Sequence, residues 1–200
     1  MSVVNGEPRT SPRSRSKRYR AAVTDHHERP LLFLDVDGTL LPTAGAPPAA
    51  NRDWDAWQSD GNPQLARIDR AHGPRLLALP CDLVWATAWM HDANEVIAPL
   101  LGIEPLPVAD LPEAPDEDPV NTLHWKTEAL VTIAAGRPFA WVDDEINDHD
   151  RAWIAANHPG HALLHRVEAA TGLTDEDLTV IDEWLRNPTS GPTDATHHRA

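Results

Sequence analysis

Nine residues constrain this chain more than any others: Leu31-Leu32-Phe33-Leu34-Asp35-Val36-Asp37-Gly38-Thr39. A run of large apolar side chains ending in Asp-x-Asp-Gly-Thr reads as a buried strand that stops at a functional turn. The strand is predicted over residues 31–36. On extended backbone Asp35 and Asp37 would share a side, but just past a strand end the chain can turn and aim them apart. Gly38 permits the sharp turn that follows. Two acids this close repel each other. At the end of a buried strand they cost free energy unless a cation or hydrogen-bond donors compensate. The arrangement points to metal-assisted chemistry.

Extended and helical patterns alternate along the chain. Further strands are predicted over 82–86, 106–108, 139–142 and 162–167, and helices over 73–78, 91–101, 123–134, 147–156 and 174–185. Two short runs, 54–58 and 64–68, flank Asp60-Gly61-Asn62, which predicts a small β-hairpin. Residues 42–51 and the acidic stretch 109–120 are rich in proline and predicted to be loops. Strands separated by helices imply an α/β fold, a mostly parallel sheet covered on both faces. Ligands of such sheets bind beyond the carboxyl ends of the strands. Asp35, Thr87 and Asp143 fall at or just past three such ends.

At 200 residues the chain fits one domain with room for tails. A basic tail over 1–28, a folded unit over 29–186 and a loose tail over 187–200 are expected. The net charge of −14 is unevenly spread: residues 1–30 carry seven Lys/Arg against three Asp/Glu, the remainder ten against twenty-eight. An acidic body argues against broad, non-specific nucleic-acid binding by the folded part. It leaves open a contact through the basic tail. Cys81 is the only cysteine, so an intrachain disulfide is excluded. No apolar run approaches the ~18 residues of a membrane span. The N-terminal arginines precede no apolar secretory region, so cytoplasmic residence is the default.

Four features follow one another in order: Asp35-x-Asp37-Gly38-Thr39; Leu83-Val84-Trp85-Ala86-Thr87; Lys126 in His124-Trp125-Lys126-Thr127; and Phe139-Ala140-Trp141-Val142-Asp143-Asp144. Together they resemble the signature motifs of the haloacid dehalogenase (HAD) superfamily in its phosphatase-like form, over about residues 31–167. That resemblance implies a three-layer Rossmann-like domain. It also implies Mg²⁺-dependent phosphomonoester hydrolysis through an aspartyl-phosphate. Asp35 would be the nucleophile, and Asp37 the acid toward the leaving group and then the base for water. Thr87 would hold phosphoryl oxygens, and Lys126 would neutralise the charge that develops. Asp35, the Asp37 carbonyl, Asp143 and Asp144 would hold Mg²⁺, which suits oxygen-only ligands. Asp148 is spaced as a supporting acid in some variants, or is an ordinary surface residue. Gly38, Thr39, Ala88 and Trp89 are candidate substrate contacts.

The segments after the first two motifs are too short for a separate cap domain. The resemblance is therefore to a compact, capless member whose 54–68 hairpin is the family's small flap. An open site of this kind suits a large phosphorylated substrate, a small molecule or the end of a nucleotide chain, or is closed by a second copy in a homo-oligomer. Phosphotransfer to an acceptor hydroxyl, or a binding module of the same fold with weak catalysis, remain as alternatives. A receiver-type domain fits less well, because the paired acids come last here and Asp-x-Asp comes first. Trp85 and Trp141 read as packing residues, while Trp89, Trp54 and Trp57 are placed to wall a pocket or to pack. His158, His161 and His165 lack partner cysteines and read as packed or surface histidines.

Overall fold

Four strands, β1 (Leu31–Leu34), β2 (Asp82–Trp85), β3 (Phe139–Asp143) and β4 (Ala162–Arg166), form one sheet in the order β2-β1-β3-β4. Every pairing is parallel. The computed structural model describes residues 29–44, 46, 53–115 and 122–188. The basic tail expected at 1–28, residues 189–200 of the C-terminal tail, and parts of the loops at 42–51 and 109–120 lie outside the described residues.

The strands lie where the apolar runs place them. All four residues of β1 are buried, as a strand covered on both faces requires. Alternation then divides them. Leu32 and Leu34 join one core cluster with Leu76, Ile97, Leu178, Ile181 and Trp184. Leu31 and Phe33 join the other with Leu130, Trp141, Ile146 and Ile154. Helices α2 (His72–Ala78), α3 (Ala98–Leu101) and α6 (Asp175–Arg186) thus cover one face, and α4 (Thr127–Ala134) and α5 (Asp148–Asn157) the other. Each large side chain fully buried in these layers contributes about 1.5–3 kcal/mol.

The expected hairpin at 54–68 is not formed. Trp54–Trp57 is a single helical turn, α1, and Pro63–Arg67 is a 3-10 turn. Asp53 caps the first by accepting from the Ala56 N–H. Asn62 caps the second by accepting from the Gln64 N–H, with Pro63 in the first turn, where no donor is needed. Gly61 does not take the positive φ that a tight Asp-Gly hairpin turn needs. Caps outcompete the turn signal here.

The helix expected over 91–101 is a wide turn at Ala93–Ile97 running into α3, which ends at Gly102 with φ +67°. Of the short strand expected at 106–108, one bridge between Val108 and Trp85 is present. The helix expected from residue 123 begins at Thr127, with Lys126 at its N-cap position. No described helix is long and apolar enough to cross a membrane.

Candidate active site

The parallel register brings the site together. Leu34 is paired with Trp85 on one side and Val142 on the other. Asp35, just past β1, and Asp143, the last residue of β3, therefore lie side by side, and the Asp35 N–H still donates to the Val142 carbonyl at 3.1 Å. The chain steps from β1 outward to β2, then returns to the other side for β3. The crevice between β1 and β3 is thus the topological switch point, where such sheets bind ligands.

Lys126 closes the gap between the two acids. Its ammonium donates to Asp35 Oδ1 at 2.6 Å and to Asp143 Oδ2 at 2.8 Å. Asp143 has further donors: the Trp141 indole at 3.1 Å and the Glu145 N–H at 2.9 Å. Asp35 Oδ2 receives no hydrogen bond from any described residue. Asp144 lies against Gly38, where a Cβ would sit 2.3 Å from the Asp144 carboxylate carbon. Gly38 also has φ +69°, so the position requires glycine twice over.

The charges do not balance within the protein. Burial, with repulsion from Asp143, Asp144 and Asp37, pushes Asp35 well above the ordinary carboxylate range against the pull of Lys126. Burial and the neighbours Asp143 and Glu145 push Asp144 up to about 7. Burial alone would also raise Asp143, but Lys126 and then His124 outweigh it and hold Asp143 below its usual value. Burial would lower Lys126, yet Asp143 and Asp35 outweigh it and keep the ammonium protonated. Ligand oxygens of Asp35, Asp143 and Asp144 all lie within 4.8 Å of one another. Three crowded acids with one buried lysine form an oxygen-only set that a hard divalent cation fits.

Asp37 sits half-buried beyond the turn. Its two carboxylate oxygens accept from two indoles, Trp57 Nε1 on Oδ1 at 2.6 Å and Trp89 Nε1 on Oδ2 at 2.9 Å. Thr87 is buried two residues past β2, and its Oγ1 accepts from the Trp89 N–H at 3.3 Å. Thr39 and Trp89 are buried, as Asp35 and Thr87 are. Gly38 spends its N–H on the Leu41 carbonyl, which leaves Ala88 as the partly exposed member of the four expected substrate contacts. Trp85 and Trp141 pack as expected, and Trp141 also supports Asp143. Trp54 is 44% exposed one turn before Trp57.

Sequence reasoning gave no role to His124 or Asp150. Asp150 is fully buried and accepts from the His124 N–H at 2.8 Å, the Thr127 hydroxyl at 2.7 Å and the Asn147 N–H at 2.9 Å. It ties the start of α5 to the turn that carries Lys126. The signal was an Asn147-x-x-Asp150 capping box, which announces a helix start but not its distant partners. Asp148, read as either a supporting acid or an ordinary surface residue, is exposed. His124 donates from or accepts at Nε2 with Glu145 at 3.2 Å, and with Asp143 these form a second group able to hold a cation.

A family model described as the HAD domain in Swiss Army Knife RNA repair proteins matches residues 31–178. No curated protein matches the chain.

Proposed function

The chain belongs to the HAD superfamily, and from that premise we propose that it is a Mg²⁺-dependent phosphomonoester hydrolase acting on the phosphorylated end of a nucleic acid. The observation that carries the reaction is Lys126 bridging Asp35 and Asp143 in the switch-point crevice, with Asp144 alongside. The family's description supports the substrate class.

Asp35 Oδ2, the oxygen not engaged by Lys126, attacks phosphorus. Asp37 gives its proton to the departing oxygen, which keeps the P–O electron pair. Water then attacks the aspartyl-phosphate, with Asp37 taking its proton, and inorganic phosphate leaves with Asp35 restored. Lys126 holds positive charge beside the nucleophile throughout, and Thr87, two residues past the end of β2, offers its hydroxyl to the phosphoryl oxygens. Asp35, Asp143 and Asp144, with the Asp37 main chain, would hold Mg²⁺, which supplies neutralisation of the phosphoryl dianion.

Phosphate release from p-nitrophenyl phosphate and from oligoribonucleotides with a terminal phosphate is expected with Mg²⁺, is expected to stop on chelation, and is expected to be lost in Asp35→Asn with unfolding behaviour preserved. Equal turnover by Asp35→Asn and parent removes Asp35 as nucleophile. No release from any ester in a broad panel favours a binding module.

A further inference from the structure

We propose that Trp57 and Trp89 are positioning residues that clamp the Asp37 carboxylate in one plane and so direct its proton to the leaving group. The inference deepens the hydrolase reading and rests on it.

The carbon–carboxylate torsion of an aspartate is broad and close to two-fold, so a free carboxylate sweeps through many orientations. Here each oxygen has its own donor. Trp57 Nε1 lies 2.6 Å from Oδ1 and Trp89 Nε1 lies 2.9 Å from Oδ2. Two donors on separate oxygens fix the plane as one donor cannot. Both rings are themselves immobilised. Trp89 is 1% exposed within the core, and its backbone N–H is tied to Thr87 Oγ1. Trp57 is also buried, and its carbonyl accepts from the Asn62 side chain at 2.8 Å.

The two donors reach Asp37 from different parts of the chain. Trp57 comes from the capped turn α1, after the first motif, and Trp89 from just past Thr87. The turn that follows the first motif therefore reaches Asp37 itself.

An indole N–H donates and cannot accept. Neither ring can therefore take a proton from Asp37, and the carboxyl that gives one to the leaving oxygen as the P–O bond breaks is held in one plane. The carboxylate left behind then accepts one from water. Neither ring needs to touch substrate for this.

Substituted phenyl phosphates of graded leaving-group acidity separate this role from a structural one. An acidic phenol departs with little help, whereas phenol itself needs the proton. In Trp57→Phe and in Trp89→Phe, the ratio of p-nitrophenyl phosphate to phenyl phosphate turnover is expected to rise about tenfold, a share of the ~10²–10⁴ that a positioned acid contributes. Partial unfolding lowers both rates together and leaves the ratio unmoved. In Asp37→Asn the ratio is expected to be already high, and adding Trp57→Phe should not raise it further. Equal losses on both esters, or additive effects in the double variant, overturn the clamp.

A second readout needs no turnover. The indole N–H resonances of Trp57 and Trp89, assigned from the two Phe variants, are expected to move together in Asp37→Ala. If neither moves, the contact is absent. A parent protein that hydrolyses neither ester overturns the hydrolase reading and with it the clamp's role, while the resonances still report whether the contact exists.

Discussion

Gly38 shows how tightly single residues are fixed at this site. Its backbone lies at φ +69°, and its missing Cβ leaves the space that the Asp144 carboxylate fills. Gly38→Ala is expected to cost about 1–2 kcal/mol from the left-handed backbone alone, and also to displace Asp144. Denaturant unfolding measures the first effect. Loss of the Mg²⁺-dependent rise in melting temperature measures the second. Lys126 is the other fixed point. Its side chain and those of Asp35 and Asp143 are 4%, 6% and 1% exposed. Removing one partner of such a group leaves buried charge uncompensated, which costs about 3–5 kcal/mol. Lys126→Met is expected to lose stability on that scale in chemical denaturation, with Mg²⁺ recovering part of it. A neutral result would mean that the two acids are already protonated in the fold.

At the scale of elements, the helix ends decide most of what the apolar pattern leaves open. α6 begins with a reciprocal box in which the Thr174 hydroxyl accepts from the Asp177 N–H and Asp177 accepts from the Thr174 N–H. Asp177 Oδ1 also meets His165 Nε2 of β4 at 2.7 Å, so the cap locks helix to sheet. Burial would raise Asp177, but the hydrogen bonds from His165 and Thr174 outweigh it and hold the carboxyl below its ordinary value. A depressed carboxylate stabilises the fold fully above its unfolded pKa, near 3.9, and loses that contribution as pH falls through its folded value. Asp177→Ala is therefore expected to cost about 1 kcal/mol at neutral pH. Its difference from the parent should shrink as pH falls below the usual carboxylate range, which unfolding curves from pH 7 downward would show. The segment 54–68 follows the same rule. Asp60-Gly61 was legible as a break, but whether flanking chain pairs or coils depended on the caps at Asp53 and Asn62.

Across the whole molecule, charge sets the terms of substrate approach. Beyond residue 30, ten Lys/Arg face twenty-eight Asp/Glu, while residues 1–30 carry a net excess of bases. Such a body repels a polyanion unless local cations intervene. Deleting residues 1–28 is therefore expected to raise KM for a terminally phosphorylated oligoribonucleotide and to flatten its salt dependence. KM for p-nitrophenyl phosphate should stay where it is. An unchanged KM for both substrates would assign the tail no part in binding.

Apolar patterning alone located the four strands of the sheet, implied that they run parallel and set acids at or just past their carboxyl ends. Long apolar runs must be buried, and Asp35, Thr87 and Asp143 follow such runs directly. It also placed Lys126 at a helix start. The packed fold alone brings Lys126 between Asp35 and Asp143, sets Asp150 against the lysine turn, and lays Trp57 and Trp89 on Asp37. Local preference and periodicity act over a few residues, whereas these contacts join positions 17 to 91 residues apart. Their partners are set by how strands and turns stack at one edge of the sheet, and that stacking is a property of the packed chain as a whole.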